Sequence, residues 1–184
     1  SFIPTMGNLH EGHLSLVREA HKYDHTILCS IFINPLQFND SDDFKRYPKT
    51  IEQDIENLVS VKCDAIFIPE INILENIQEI EEPKKAKYLC GKNRPGHFKG
   101  VLTIINKFLS IIEPDLIILG LKDYQQFIII KNFIFNNFKD INIIGVKTFR
   151  DKNGLAMSSR NNHLLGNDKK LASELYKCLK NIKK

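Results

Sequence analysis

The chain has 184 residues, 42% hydrophobic and 26% charged, an ordinary balance for a single folded domain with its own core. A net charge of +4 suits small anions; without a basic stripe interleaved with stacking aromatics it does not suggest nucleic acid as a partner. No apolar run reaches the 18 residues of a membrane span, no secretory leader is expected, and four cysteines without a CxxC pair argue against a zinc ribbon or dithiol motif and fit a reducing cytoplasm.

In chain order, the first apolar run is "SFIP" (1–4), followed by "TILCSIFI" (26–33), "DAIFIP" (64–69), "DLIILG" (115–120) and "INIIGVKT" (141–148). Each is continuous and rich in isoleucine, which predicts strands buried on both faces, as in a parallel sheet. Cys29 and Cys63 fall in or beside such runs and read as core thiols. Helical patterns lie between the runs. Leu16, Val17 and Ala20 share one stripe of "GHLSLVREAHKY"; Ile51, Ile55, Leu58 and Val59 share another, with Pro48 in its first turn. "FKGVLTIINKFLSII" and "DYQQFIIIKNFIFNNF" supply two more helices, and a last one runs to the end of the chain. Right-handed crossovers then give a doubly wound, Rossmann-like α/β sheet of about five parallel strands with helices on both faces. The polar stretch 70–97 reads as a long loop, a lid or a connection. The first residue is Ser1 and the last helix ends in "KNIKK", so a domain taken from a longer protein is expected.

Unusual polar residues gather just after these strands. "TMGNLHEGH" follows the first, "NPLQF" the second, "GLKDYQQ" the fourth and "LAMSSRN" the fifth, beyond Arg150 and a "DKNG" turn. The C-terminal ends of strands in an open α/β sheet border one crevice, where ligands bind. In "PTMGNLHEGH", Gly7 and Gly12 suit a tight turn and a close approach, and a helix starting near Gly12 offers free N–H groups to an anion. His10 and His13 stand ready to donate to phosphate oxygens. The alternatives are a plain helix-start turn and a zinc site, although the i, i+3 spacing departs from the i, i+4 of HExxH. Lys122 suits a phosphate as a point charge, and "SSR" offers two hydroxyls and a guanidinium fork on a loop that Gly154 makes mobile by composition. Gln37 and Gln126 are neutral and directional, better matched to an uncharged hydroxyl than to a phosphate. His21, His25 and His163 read as surface residues, and His97 in "RPGHFKG" stays open. No Ser-His-Asp or Cys-His nucleophile is evident. The inventory suggests a substrate that attacks ATP while the protein positions groups and neutralises charge.

"HEGH" and "MSSR" resemble the HxGH signature and the second phosphate loop of the nucleotidyltransferase superfamily. More narrowly, "PTMGNLHEGHLSLV", "SIFINPLQF", "YPKT", "RPGHFKGV", "GLKDYQQ" and "DKNGLAMSSRN" together, in order and over nearly the whole chain, resemble the pantothenate synthetase family. The resemblance implies a cytoplasmic homodimer that joins pantoate to β-alanine with ATP and Mg²⁺ through a pantoyl adenylate. It also implies that residues 1–184 are the N-terminal Rossmann-like catalytic domain, without the family's smaller C-terminal domain. By motif, Met6, Gly7, Asn8, Leu9, His10, Glu11, Gly12 and His13 would hold ATP, with His13 as catalytic acid. Gly120, Leu121, Lys122 and Asp123 would also hold it, Lys122 on phosphate and Asp123 towards the ribose. Phe149 would meet the adenine by its backbone, and Met157, Ser158, Ser159 and Arg160 would close on the phosphates, His10, His13, Lys122 and Arg160 forming the catalytic set. Gln37 and Gln126 would bind pantoate, Gln37 also bordering β-alanine, with Asn34 and Tyr47 in support and Asp54 as a candidate for the metal. Leu121 stands where the family has Glu, Lys49 where it has Arg, and 70–93 is shorter than usual. Neither His13 nor Lys122 is expected in the core, so their removal should barely change stability.

Overall fold

The computed structural model describes residues 1–182, apart from the side chains of Asn162 and His163; the surface position expected of His163 therefore lies outside the described residues. Five strands form one sheet: β1 (Phe2–Thr5), β2 (Leu28–Ile31), β3 (Ala65–Phe67), β4 (Leu116–Gly120) and β5 (Asn142–Val146). Their order across the sheet is β3-β2-β1-β4-β5 and every pairing is parallel. The chain reverses its direction of winding between β1 and β4, the point at which open α/β sheets hold ligands.

Alternate residues of each strand face opposite layers. Phe2, Ile117 and Leu119 pack with α4 (His97–Ile112) and α5 (Tyr124–Asn137), while Ile3, Leu116 and Ile118 pack with α1 (Glu11–Ala20) and with Leu58 of α3 (Ile51–Ser60). Both faces are covered, which is why the strand sequences are continuously apolar rather than alternating. Cys29 is buried and Cys63 partly so, and all four thiols are free. A short α2 (Ser41–Lys45), which the sequence pattern does not reveal, and a final α6 (Gly166–Ile182) complete the helices.

The stripe predicted for α3 is corrected in part. Leu58 is buried, but Ile51 and Val59 are 45% and 63% exposed, and the other buried residue of this helix is Asp54. Pro48 lies outside the helix, two residues before its N-cap Thr50. Residues 71–93 hold three short 3₁₀ turns rather than an unstructured loop, and Gln125 of α5 pins two of them. Its Nε2 donates to the carbonyls of Lys85 and Tyr88 (3.1 and 2.8 Å), and its Oε1 accepts from the Cys90 N–H at 3.1 Å.

Candidate active site

The loop from β1 to α1 is held from behind by one carboxylate. Asp54, 1% exposed, accepts from the Asn8 and Leu9 N–H groups at 2.8 and 2.7 Å and from Thr50 Oγ1 at 3.1 Å. Gly7 must be glycine here: its φ is +77° and a Cβ would stand 2.9 Å from Asp54 Oδ2. Asn8 follows at φ +49°, a conformation asparagine tolerates. With its oxygens committed to the loop, Asp54 serves as an anchor, and the metal role implied for it finds no support in the geometry.

The start of α1 is where the structure departs most from the expected anion cradle. His10 is the N-cap, and its Nδ1 accepts from the Gly12 N–H at 3.1 Å; His13 Nδ1 accepts from the His10 N–H at 3.3 Å. The two imidazoles thus form a reciprocal capping box and stack with their centroids 4.1 Å apart. Those backbone donors are not free for a ligand. A ring nitrogen that accepts is unprotonated, so in the neutral ring the hydrogen sits on Nε2. Each histidine thereby converts a backbone donor at the helix start into a side-chain N–H donor. His10 and His13 both line the crevice. His13 also has a structural part in the cap, contrary to the expectation that its removal would leave stability untouched.

Burial, then the His10 ring and Lys122, pushes the His13 pKa down to about 3; burial and then Lys122 lower that of His10. His13 is therefore a neutral N–H donor at pH 7 and not an imidazolium acid in this state. An unfolded chain protonates these rings near pH 6.5, the folded chain only below that. The unfolded state then binds more protons, so this contribution to stability is whole above about pH 6.5; the part due to His13 is lost as pH falls towards about 3, at up to roughly 1.4 kcal/mol per pH unit. Denaturant unfolding of His13→Asn should accordingly lose stability less steeply between about pH 6 and pH 4 than the unaltered protein. Equal slopes would mean that the ring is not held neutral.

The other expected residues reach the same place from separate elements. A cavity of about 460 Å³ is lined by Met6, His10, Gly12 and His13 after β1, by Asn34, Gln37 and Tyr47 beyond β2, and by Gly120 at the end of β4 with Lys122, Asp123 and Gln126 beyond it. Phe149, Met157, Ser158, Ser159 and Arg160 line it from beyond β5. Asn34 is 1% exposed; its Nδ2 donates to Gln37 Oε1 and to the Gly100 carbonyl, both at 3.1 Å. Ser159 Oγ donates to the Asn8 carbonyl at 3.3 Å, tying the serine loop to the histidine loop. That loop is tied by several contacts. Asp151 Oδ1 accepts from Asn153 and Leu155, Met157 N–H donates to the Phe149 carbonyl at 3.0 Å, and Arg150 stacks 3.6 Å over Tyr176. The adenine contact implied for Phe149 would therefore have to share or avoid its carbonyl.

Some expected residues stand aside. Glu11 faces solvent and pairs with Arg18 at 2.8 Å, Leu121 packs against the core, and Asn8 and Leu9 border a smaller neighbouring cavity of about 210 Å³. Arg160 lines the cavity but pairs with Asp43 of α2 at 2.8 Å, so a phosphate would have to take the place of Asp43. Asp43 escaped the sequence reading and His97 stayed open in it, because each is placed by contacts from segments far away in the chain.

A parallel sheet wound in both directions, with an HxGH imidazole pair and a serine–arginine loop meeting over its switch point, defines a Rossmann-like domain of the HxGH class. The family model for pantoate–β-alanine ligase matches residues 1–184, and the chain belongs to that family. The pantothenate synthetase of Aliivibrio fischeri is 43% identical over 185 residues, covering 98% of this chain and 64% of its own length. The chain thus spans less than two thirds of that relative. Among solved structures, pantothenate synthetase from Thermus thermophilus superposes with a TM-score of 0.89 at 36% identity, covering 96% of this chain and 65% of that one. The pantoate–β-alanine ligase of Francisella tularensis, complexed with β,γ-ATP and β-alanine, gives 0.89 at 42% identity, covering 97% and 70%.

Proposed function

We propose that this chain carries the catalytic site of an ATP-dependent pantoate–β-alanine ligase. The observation that carries the reading is the division of one cavity into two chemistries. Imidazole N–H donors, Lys122, Ser158, Ser159 and Arg160 offer positive or hydrogen-bonding contacts for a polyphosphate, while Gln37, held by the buried Asn34, and Gln126 offer neutral amides. A second phosphorylated substrate would require free cations where these amides stand, and the guanidinium beside them, that of Arg94, is engaged on the Gln37 carbonyl at 3.3 Å. A carboxylate oxygen of pantoate attacks the α-phosphorus of ATP and pyrophosphate leaves. The amine of β-alanine then attacks the acyl carbon of the adenylate, and AMP leaves. No residue of the chain forms a covalent bond. Lys122 and the two Nε2–H groups stabilise charge on the phosphates as pyrophosphate departs.

Among the described residues, no three acids, histidines or cysteines cluster into a metal cage. Mg²⁺ in this reading arrives on the phosphates of ATP as part of the substrate. The proposal extends to a cytoplasmic homodimer. The free thiols fit such a compartment, and sedimentation of the full-length protein tests the dimer.

Pantoate-dependent exchange of labelled pyrophosphate into ATP, without β-alanine, tests the adenylate step. Exchange that needs no pantoate, or none at all, would contradict it. Gln37→Ala and Gln126→Ala should each raise the KM for pantoate by about twofold to tenfold and leave that for ATP nearly unchanged, since a net hydrogen bond is worth about 0.5–1.5 kcal/mol. Steady-state kinetics with either substrate varied will show whether the loss falls on pantoate.

A further inference from the structure

We infer that the segment Arg94–Gly100 is the positioning device for Gln37, with His97 as its central residue; this rests on the reading of Gln37 as a pantoate ligand. The turn Pro35–Gln37 is held along its length by this segment. His97, 5% exposed at the start of α4, places Nδ1 2.7 Å from the Gln37 carbonyl, and Arg94 Nη2 donates to the same oxygen at 3.3 Å. Asn39 Nδ2 donates to the Pro95 carbonyl at 2.6 Å, and Asn34 Nδ2 to the Gly100 carbonyl at 3.1 Å. Gly100 is obligatory, since a Cβ there would stand 2.1 Å from the Leu36 carbonyl oxygen.

The consequence for Gln37 is specific. Both lone pairs of its carbonyl are engaged, so the backbone cannot rotate freely. Its side-chain Oε1 accepts from Asn34 and its Nε2 lies 3.0 Å from Met6 Sδ. The amide is thereby oriented before any ligand arrives, which lowers the ordering cost of binding. A carbonyl can only accept, so His97 Nδ1 carries the hydrogen. Asparagine places an amide N–H close to where Nδ1–H lies. Glutamine places one nearer to Nε2.

This difference supplies the test in the full-length protein. His97→Gln and His97→Ala should raise the KM for pantoate by about twofold to tenfold and by no more than Gln37→Ala does, with the KM for ATP moved by less than about twofold. His97→Asn should recover most of that loss. In a Gln37→Ala background, His97→Gln should add little, because no amide remains to be positioned; this cycle is read from kinetics and does not depend on equal stability of the variants. A loss in His97→Asn as deep as in His97→Gln, an unchanged KM for pantoate in all three, or full additivity with Gln37→Ala would overturn the inference. If the unaltered protein does not consume pantoate, it is the functional reading that fails.

Discussion

His13→Asn should slow adenylate formation from ATP and pantoate by about two to three orders of magnitude while leaving the melting temperature within a few degrees of the unaltered protein. The asparagine Oδ1 can accept from the His10 N–H as His13 Nδ1 does, at 3.3 Å, so the cap survives. What disappears is the Nε2–H donor aimed at the charge that builds on the departing pyrophosphate. Loss of one preorganised donor of this kind typically costs roughly 2.7–4 kcal/mol in the transition state. His13→Ala removes both functions and should also lose about 1 kcal/mol of stability. Lys122→Ala should match the kinetic loss without the loss in stability. Lys122 is exposed and its nearest acid, Asp123, stands a loose 3.7 Å away. Single-turnover kinetics beside thermal melts separate these effects. Normal adenylate formation in both His13→Asn and Lys122→Ala would refute the phosphate assignment.

Asp54→Ala should destabilise the protein by about 2–5 kcal/mol, because two backbone N–H groups and a threonine hydroxyl lose their acceptor in a buried place. In a chain of this size that corresponds to a fall in melting temperature of roughly 4–20 °C. The catalytic consequence follows from the structural one. Asn8 and Leu9 carry the loop that delivers His10 and His13, so activity should fall with the order of that loop. A metal ligand would behave differently. Its loss would change the Mg²⁺ concentration needed for activity and leave the melt alone. Thermal melts and a Mg²⁺ titration on Asp54→Ala and Asp54→Asn therefore distinguish an anchor from a ligand, and a normal melt with a shifted Mg²⁺ requirement would reverse our assignment.

The sheet was legible because the pattern that specifies it is local. Runs such as "TILCSIFI" and "DLIILG" have no polar alternation, which fits strands covered on both sides, and strictly alternating helices leave parallel crossovers as the economical topology. Three of the four loops of the site were legible for the same reason, since each begins within a few residues of a strand end, and the fourth, "LAMSSRN", was marked by its own residues beyond the "DKNG" turn. Other features depend on partners remote in sequence. Asp54 is only a metal candidate by motif until the loop 46 residues away is seen to donate to it. His97 is ambiguous until Gln37, 60 residues earlier, comes within 2.7 Å. The proton positions on His10 and His13 were hidden as well. They follow from which ring nitrogen meets a backbone donor, and spacing alone gave instead a cradle of free N–H groups. Arg160 lines the crevice in which the sequence put it, but its pairing with Asp43 joins residues 117 apart.

The most direct test of the central claim is product analysis with the full-length protein, ATP and pantoate, with and without β-alanine. Pyrophosphate should appear with pantoate alone in an amount close to one per site. AMP and pantothenate should then form together, in equal amounts and continuously, only when β-alanine is added. Steady release of AMP without β-alanine, release of ADP and phosphate in place of AMP, or no consumption of ATP in the presence of all three substrates would contradict it.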